Sequence, residues 1–219
     1  MKKQISNLQA MLTVLFVTCF LISNILAAKQ FQLPFGITMT GAVIVFPITY
    51  ILSDLFSEVY GYEWSRKTCY IAFAMNILMV AFFEVAIFTP APPYWTNQEA
   101  FQQVLGSAPR TLAASLLAFV FGDWANDLVF AKMKKKHKEE MKGFGARAIA
   151  SSIVGEMCDS LIFIPLAFIG TMPLKTLVIM GITQVTIKTL YELLILPLTT
   201  YFTSKASAYE AKTAIQYEQ

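Results

Sequence analysis

Six stretches of about 20 predominantly apolar residues follow one another along this 219-residue chain. A helix of that length spans a bilayer, because it rises about 1.5 Å per residue and the hydrocarbon core is about 30 Å thick. Charged residues make up only 14% of the chain, against about 25% in soluble domains. The sequence therefore predicts an all-α polytopic membrane protein forming a single domain over residues 1–219. The six predicted transmembrane helices cover about 8–27, 38–60, 68–89, 111–132, 146–169 and 176–202.

The distribution of Lys and Arg predicts the orientation of these helices. With the N-terminus inside, thirteen of these cations fall in inner segments and three in outer loops. Cytoplasmic loops are enriched in Lys and Arg, so both termini are predicted to be cytoplasmic. The basic run 132–138 is then a cytoplasmic loop, and nucleic acid is not an expected partner. The apolar run after Lys2 and Lys3 is interpreted as the first helix, because no small-residue cleavage site follows it.

The second predicted span carries two carboxylates into the hydrocarbon. Asp54 and Glu58 are four residues apart, so an α-helix would place them on one face, with Tyr50 one turn earlier. A charged side chain at the bilayer centre costs about 2.5–3.5 kcal/mol on insertion scales. Pro47 allows a kink near the start of the same span. Such a segment favours a transporter with a polar centre.

Further polar side chains fall at depth in the third, fifth and sixth spans. They are Asn76, Glu156, Asp159, Gln184, Lys188 and Glu192. Lys188 is the single deep cation against five deep carboxylates, so some carboxylates must be protonated or face water or a ligand. Glu156 and Asp159 have no partner on their own helix, which favours a role in binding. Lys188 and Glu192, four apart, form either a structural ion pair or part of a substrate site.

Aromatic residues accompany these carboxylates, among them Phe46, Tyr50, Phe163 and Tyr191. A carboxylate can accept two parallel hydrogen bonds from a guanine-like edge, and aromatic rings can sandwich the plane of the ring. The pattern therefore suits a flat heterocycle with adjacent N–H donors. A cationic amine would also fit, whereas an anion fits poorly beside one lysine.

The sequence gives no indication of catalysis, a metal site or a cofactor. Its cysteines, Cys19, Cys69 and Cys158, are scattered without CxxC spacing, and its one histidine, His137, lies in the basic loop. The chain has no GxSxG or HExxH motif and no GxxxxGK[ST] motif for ATP hydrolysis. We therefore expect a protein that is not an enzyme and has no catalytic residues.

Several motifs now resemble those of a known family. They are PITYILSDLFSEVYGY at 47–62 followed by Arg66 and Lys67, AFQQVLGSAPRTLAAS at 100–115, AKMK at 131–134, GEMCDSLIF at 155–163 and KTLYE at 188–192. Together they are similar to the queuosine precursor transporter family, also called vitamin uptake transporters. The motifs extend from the second span to the sixth, so the resemblance covers most of the chain.

The resemblance implies a six-helix transporter in a prokaryotic cell membrane. Its substrates would be 7-cyano-7-deazaguanine and 7-aminomethyl-7-deazaguanine, precursors of queuosine in tRNA. It also implies a site containing Asp54, Glu58, Glu156, Asp159, Lys188 and Glu192. We add Tyr50, Asn76 and Gln184 to this site because of their positions in the spans and their side-chain chemistry. In that site Glu156 or Asp159 would accept the guanine-like edge. Lys188 would orient a carboxylate or meet the carbonyl group of the ligand.

An alternative interpretation is the substrate-binding membrane subunit of an ATP-driven vitamin or nucleobase uptake system. Uptake by this chain in a host without a motor subunit would separate the two interpretations. The sequence leaves open the preferred precursor, proton coupling, pairing into a homodimer, and the roles of Asp123 and Asp127. Beyond its ligand and membrane lipid, it indicates no other partner.

Overall fold

The computed structural model describes residues 5–34, 37–136 and 144–217. Helices account for 83% of the structure. The elements, in chain order, are α1 (Asn7–Leu26), β1 (Gln30–Gln32), β2 (Thr38–Thr40), a 3₁₀ helix (Gly41–Ile44), α2 (Phe46–Leu55), a π-helical turn (Phe56–Tyr60), α3 (Tyr62–Phe88), α4 (Gln98–Leu105), α5 (Ala108–Lys136), α6 (Phe144–Phe168) and α7 (Leu174–Tyr217). The all-α prediction is confirmed, apart from the short hairpin of β1 and β2.

A helix lies over each of the six predicted apolar segments, although the bounds differ. Agreement is best for α1. Ser6 is its N-cap, and the Ser6 side chain accepts a hydrogen bond from the backbone N–H of Gln9. The largest difference is α7, which continues over 44 residues to Tyr217, far beyond the predicted end at 202. The continuation contains Ala, Lys and Glu residues, which are good helix formers.

Three helical stretches among the described residues are long and apolar enough to cross a membrane. They are Asn7–Leu26, Tyr62–Phe88 and Gln98–Ala125. The chain is a membrane protein on this evidence. Six crossings with both termini inside stay a prediction. The basic loop on which the orientation largely depends includes residues 137–143, which lie outside the described part of the chain.

The second predicted span departs from one continuous helix. Its first residues form β2 and the 3₁₀ helix, and α2 ends at Leu55, where the π-helical turn begins. Gly61 then takes φ +88° and ψ 159°, a backbone region that is essentially restricted to glycine. Asp54 therefore lies in α2 and Glu58 in the π-helical turn, so one continuous α-helix does not carry both carboxylates. Glu58 lies in the π-helical turn, where i→i+5 hydrogen bonding changes the angular spacing of side chains.

The chain divides into two compact units. The first unit comprises Met1–Lys29, Thr40–Gly106 and Tyr191–Gln219, and the second comprises Gln30–Met39 and Ser107–Leu190.

The core of the first unit is an aromatic cluster. Phe16 of α1 and Phe56 of the π-helical turn are in edge-to-face contact, with ring centroids 5.9 Å apart. Leu52 and Ala72 complete the buried cluster. Edge-to-face packing of this kind adds about 0.5–1.5 kcal/mol beyond the burial of apolar area. The cluster holds α2 and the π-helical turn against α1 and α3.

The core of the second unit is the packing of α5 against α6. Small residues recur every four positions along α5: Ala114, Ala118 and Gly122 are all buried. A row of small side chains lets two helix backbones approach closely. Opposite this row lie buried Phe163, Ile164, Ala167 and Phe168 of α6.

Arg110, near the start of α5, caps the C-terminal end of α6. Its Nε donates to the carbonyl of Leu166 at 2.7 Å, and its Nη2 donates to the carbonyl of Ile169 at 2.6 Å. The last carbonyls of a helix have no partner within the helix, and a cation is favoured at that negative end. Arg110 thereby fixes the end of α6, the helix that carries Glu156 and Asp159.

Candidate functional site

An ion pair between α6 and α7 lies in the second unit. Nζ of Lys188 donates to Oδ2 of Asp159 at 2.7 Å, and 7% of the Lys188 side chain and 31% of the Asp159 side chain are exposed. Asp159 of α6 therefore has its partner on another helix, in agreement with the lack of one on its own helix. Sequence spacing suggests pairs only within one helix, whereas these two residues are 29 positions apart. The predicted partner of Lys188, Glu192, has its side chain outside the described residues.

Gly122 of α5 lies directly against Asp159. A Cβ atom at position 122 would lie 3.0 Å from the carbonyl oxygen of Gly155 and 3.2 Å from Cβ of Asp159. These distances are shorter than ordinary van der Waals contact. The missing side chain therefore lets α5 approach α6 at the level of Asp159.

Other polar side chains lie near this pair along the chain. Gln184, one helical turn before Lys188, is buried, and Glu156, three residues before Asp159, is half-buried. Ser160 is fully buried, and its hydroxyl has no hydrogen-bond partner among the described residues. Sequence reasoning missed Ser160, although its position beside Asp159 within an apolar span could have indicated it.

The chemistry of this group is that of a hydrogen-bonding site with compensated charge. The Lys188 ammonium has three donors and the Asp159 carboxylate has two acceptor oxygens. Gln184 and Ser160 add neutral donors and acceptors. Such a set can bind a neutral polar heterocycle through several hydrogen bonds, while the ion pair prevents either charge from being buried alone.

A separate cleft lies within the first unit. Tyr50, Asp54, Tyr191 and Ile195 line it, and its cavity volume is about 20 Å³. Tyr50 and Asp54 project from successive turns of α2, as predicted, and Tyr191 adds an aromatic ring. Glu58 is exposed and does not belong to this lining.

Asn76 of α3, also in the first unit, is completely buried. Neither its amide nitrogen nor its amide oxygen has a hydrogen-bond partner among the described residues. The predicted site residues are thus divided between the two units. Tyr50, Asp54, Glu58 and Asn76 belong to the first, and Glu156, Asp159, Gln184 and Lys188 belong to the second.

The remaining polar candidates add no metal site. The described residues contain no group of three or more His, Cys, Asp and Glu side chains placed to hold a metal ion. Asp123 is half-buried on α5, and the side chain of Asp127 lies outside the described residues. Cys19, Cys69 and Cys158 are free thiols.

Comparison with known proteins gives the family. The sequence model of the family described as "Putative vitamin uptake transporter" matches residues 40–202. The chain is 26% identical over 176 residues to a protein of Bacillus subtilis (strain 168) named "Probable queuosine precursor transporter", covering 80% of this chain and 76% of that protein. No solved structure matches the chain significantly. The family match covers more than half of the chain and includes α2, α3, α5, α6 and most of α7. The chain therefore belongs to the vitamin uptake transporter family.

Proposed function

We propose that this protein imports queuosine precursors, 7-cyano-7-deazaguanine or 7-aminomethyl-7-deazaguanine, into the cytoplasm. The name of the Bacillus subtilis relative supports the substrate class. The observation that carries the proposal is the ion pair of Lys188 and Asp159 with buried Gln184 and Ser160 nearby in sequence, inside apolar helices of a transporter. Buried ionisable groups in membrane helices mark substrate or ion pathways.

Within this proposal, the polar residues predicted from the sequence bind the substrate. Asp159 or Glu156 accepts the N–H donors of the guanine-like edge, and Lys188 donates to the carbonyl group. Tyr50, Asp54, Asn76, Gln184 and Glu192 complete the site, and Glu58 contributes from the π-helical turn. The membrane is the plasma membrane of a prokaryote, crossed six times with both termini in the cytoplasm.

The direct test uses a bacterial strain that cannot synthesise queuosine precursors and lacks its own transporter. With this gene, added 7-cyano-7-deazaguanine should restore queuosine in tRNA at external concentrations too low to support it without the gene. Equal restoration with and without the gene would contradict import. A host without any ATP-driven motor subunit of vitamin uptake separates independent transport from the motor-dependent alternative, which no observation favours.

The site assignment has its own test. Glu156→Gln and Asp159→Asn should both reduce uptake while the protein still inserts in the membrane. Glu99→Gln, in the exposed α4, is the control and should transport normally. Normal uptake by both site variants would remove these carboxylates from the site.

A further inference from the structure

The helix α3 carries two fully buried polar side chains, Thr68 and Asn76, two helical turns apart. Neither Oγ1 of Thr68 nor either polar atom of the Asn76 amide has a hydrogen-bond partner among the described residues. Buried polar side chains are nearly always hydrogen-bonded to protein or water. Three orphaned polar atoms on one buried stretch of helix therefore need an explanation.

A partner is available to both side chains within their own helix, and neither uses it. Threonines elsewhere in the chain donate to the carbonyl four residues earlier, as in Thr13 to Gln9 at 2.8 Å and Thr111 to Ser107 at 3.0 Å. Asn24 of α1 similarly donates to the carbonyl of Phe20 at 3.0 Å. Thr68 and Asn76 are therefore not oriented toward the carbonyl groups of the preceding turn, to which Thr13, Thr111 and Asn24 donate.

A residue between these two side chains belongs to an apolar cluster. Ala72, midway between Thr68 and Asn76, is fully buried and belongs to the cluster with Phe16, Leu52 and Phe56. An aliphatic residue at position 68 or 76 would suit such an interior better than a hydroxyl or an amide. The polar groups are explained if a ligand binds to them during the working cycle.

We propose that Asn76, with Thr68 as a second position, binds a polar ligand group along the transport path in the first unit. An amide donates through nitrogen and accepts through oxygen, so it suits a ligand that both donates and accepts. Two sources share this chemistry: an internal water molecule, and the adjacent N–H and carbonyl groups of the carried heterocycle. This inference rests on the proposed function, because it assigns Asn76 a part in transport.

The test replaces the amide by an aliphatic side chain of similar size and measures stability and transport separately. The variants are Asn76→Leu and Thr68→Val, purified and reconstituted in liposomes. Removing an orphaned polar group from an apolar interior should leave the melting temperature equal to that of the wild type or up to about 3 °C higher. Uptake of radiolabelled 7-cyano-7-deazaguanine by Asn76→Leu should nevertheless fall about tenfold or more, the loss expected for a buried hydrogen bond to the ligand.

The matched control is Asn24→Leu, the same substitution at a buried residue of the same unit whose amide already has a partner. It should lower the melting temperature and leave the affinity for substrate unchanged. If the ligand of Asn76 is the heterocycle, the dissociation constant of substrate rises in Asn76→Leu. If the ligand is water, the dissociation constant is unchanged and the turnover falls.

Unchanged uptake and unchanged affinity in Asn76→Leu would overturn the inference. A fall in melting temperature as large as that of Asn24→Leu would also overturn it, since the amide would then be serving the fold. If Asn76→Leu fails to fold, the same measurements of stability and uptake on Thr68→Val test the inference independently. Wild-type protein that takes up no precursor refutes the proposed function instead. In that case the melting temperatures of Asn76→Leu and Asn24→Leu still show whether the Asn76 amide lacks a hydrogen-bond partner in the fold.

Discussion

The ion pair of the second unit and two buried side chains of the first unit differ in how their polar groups are satisfied. In the second unit, Lys188 and Asp159 are joined at 2.7 Å, so each charge compensates the other. In the first unit, Thr68 and Asn76 are more deeply buried, and their polar atoms have no partner among the described residues. The comparison indicates that a buried charge must be compensated within the fold, whereas a neutral buried polar group can lack a hydrogen-bond partner until a ligand binds. An unpaired buried charge costs several kcal/mol, while an unpaired amide or hydroxyl costs about 1–3 kcal/mol.

The largest expected effect comes from breaking the ion pair of Lys188 and Asp159. Asp159→Asn removes the charge compensation that Asp159 gives to the buried Lys188 ammonium, which should destabilise the protein by about 2–3 kcal/mol. Lys188→Met should cost less, because 31% of the Asp159 side chain is exposed to screening. Thermal unfolding of the detergent-solubilised variants measures both.

The double variant Asp159→Asn with Lys188→Met is the control for that pair. It removes both charges together, so it should recover most of the stability lost by Asp159→Asn alone. Additive losses in the double variant would show that the two residues do not stabilise each other.

A smaller effect is expected at Gly122, the glycine of α5 that lies against Asp159. Gly122→Ala places a Cβ atom 3.0 Å from the carbonyl oxygen of Gly155, which should cost about 1–3 kcal/mol through overpacking. Gly181→Ala in α7 is the matched control, because nothing lies within 4 Å of its added Cβ. The control should be neutral or stabilising by up to about 1 kcal/mol. Equal unfolding temperatures for the two variants would contradict the close approach of α5 and α6.

The smallest effect concerns a place where the first unit does pair its polar groups. Glu210, on the extension of α7, accepts hydrogen bonds from the hydroxyls of Ser6 at 2.5 Å and Tyr60 at 2.8 Å. These contacts join the N-cap of α1, the end of the π-helical turn and α7. Glu210→Ala should cost about 1–2 kcal/mol, since the contacts are only partly buried.

Tyr60→Phe removes one of the two hydrogen bonds and should cost about half as much. Chemical unfolding of both variants measures this difference. If Glu210→Ala unfolds at the same denaturant concentration as the wild type, the extension of α7 contributes nothing to this unit.

The helices could be predicted from the sequence more reliably than their contacts. Long apolar runs predict α1 and α3 because burial in hydrocarbon constrains every residue of a span. The second segment was predicted less well, because Gly61 and the π-helical turn depend on local backbone geometry that hydropathy does not report. The extension of α7 to Tyr217 was missed because its residues are polar, although they favour helix.

The residues of the candidate site could likewise be predicted more reliably than their contacts. The sequence indicated Asp159, Lys188 and Gln184 as unusual polar residues in apolar spans. It could not indicate that Lys188 contacts Asp159, or that Ser160 is fully buried, since both depend on how α6 and α7 pack. Residue type and depth are therefore readable from sequence, whereas partners 29 residues apart are not.

Uptake by the purified protein in liposomes tests the central claim most directly. Wild-type protein should accumulate radiolabelled 7-cyano-7-deazaguanine in a saturable manner, with competition from unlabelled 7-aminomethyl-7-deazaguanine and none from uracil. Accumulation no greater than in protein-free liposomes, in a preparation that unfolds cooperatively, would contradict transport of these precursors by this chain.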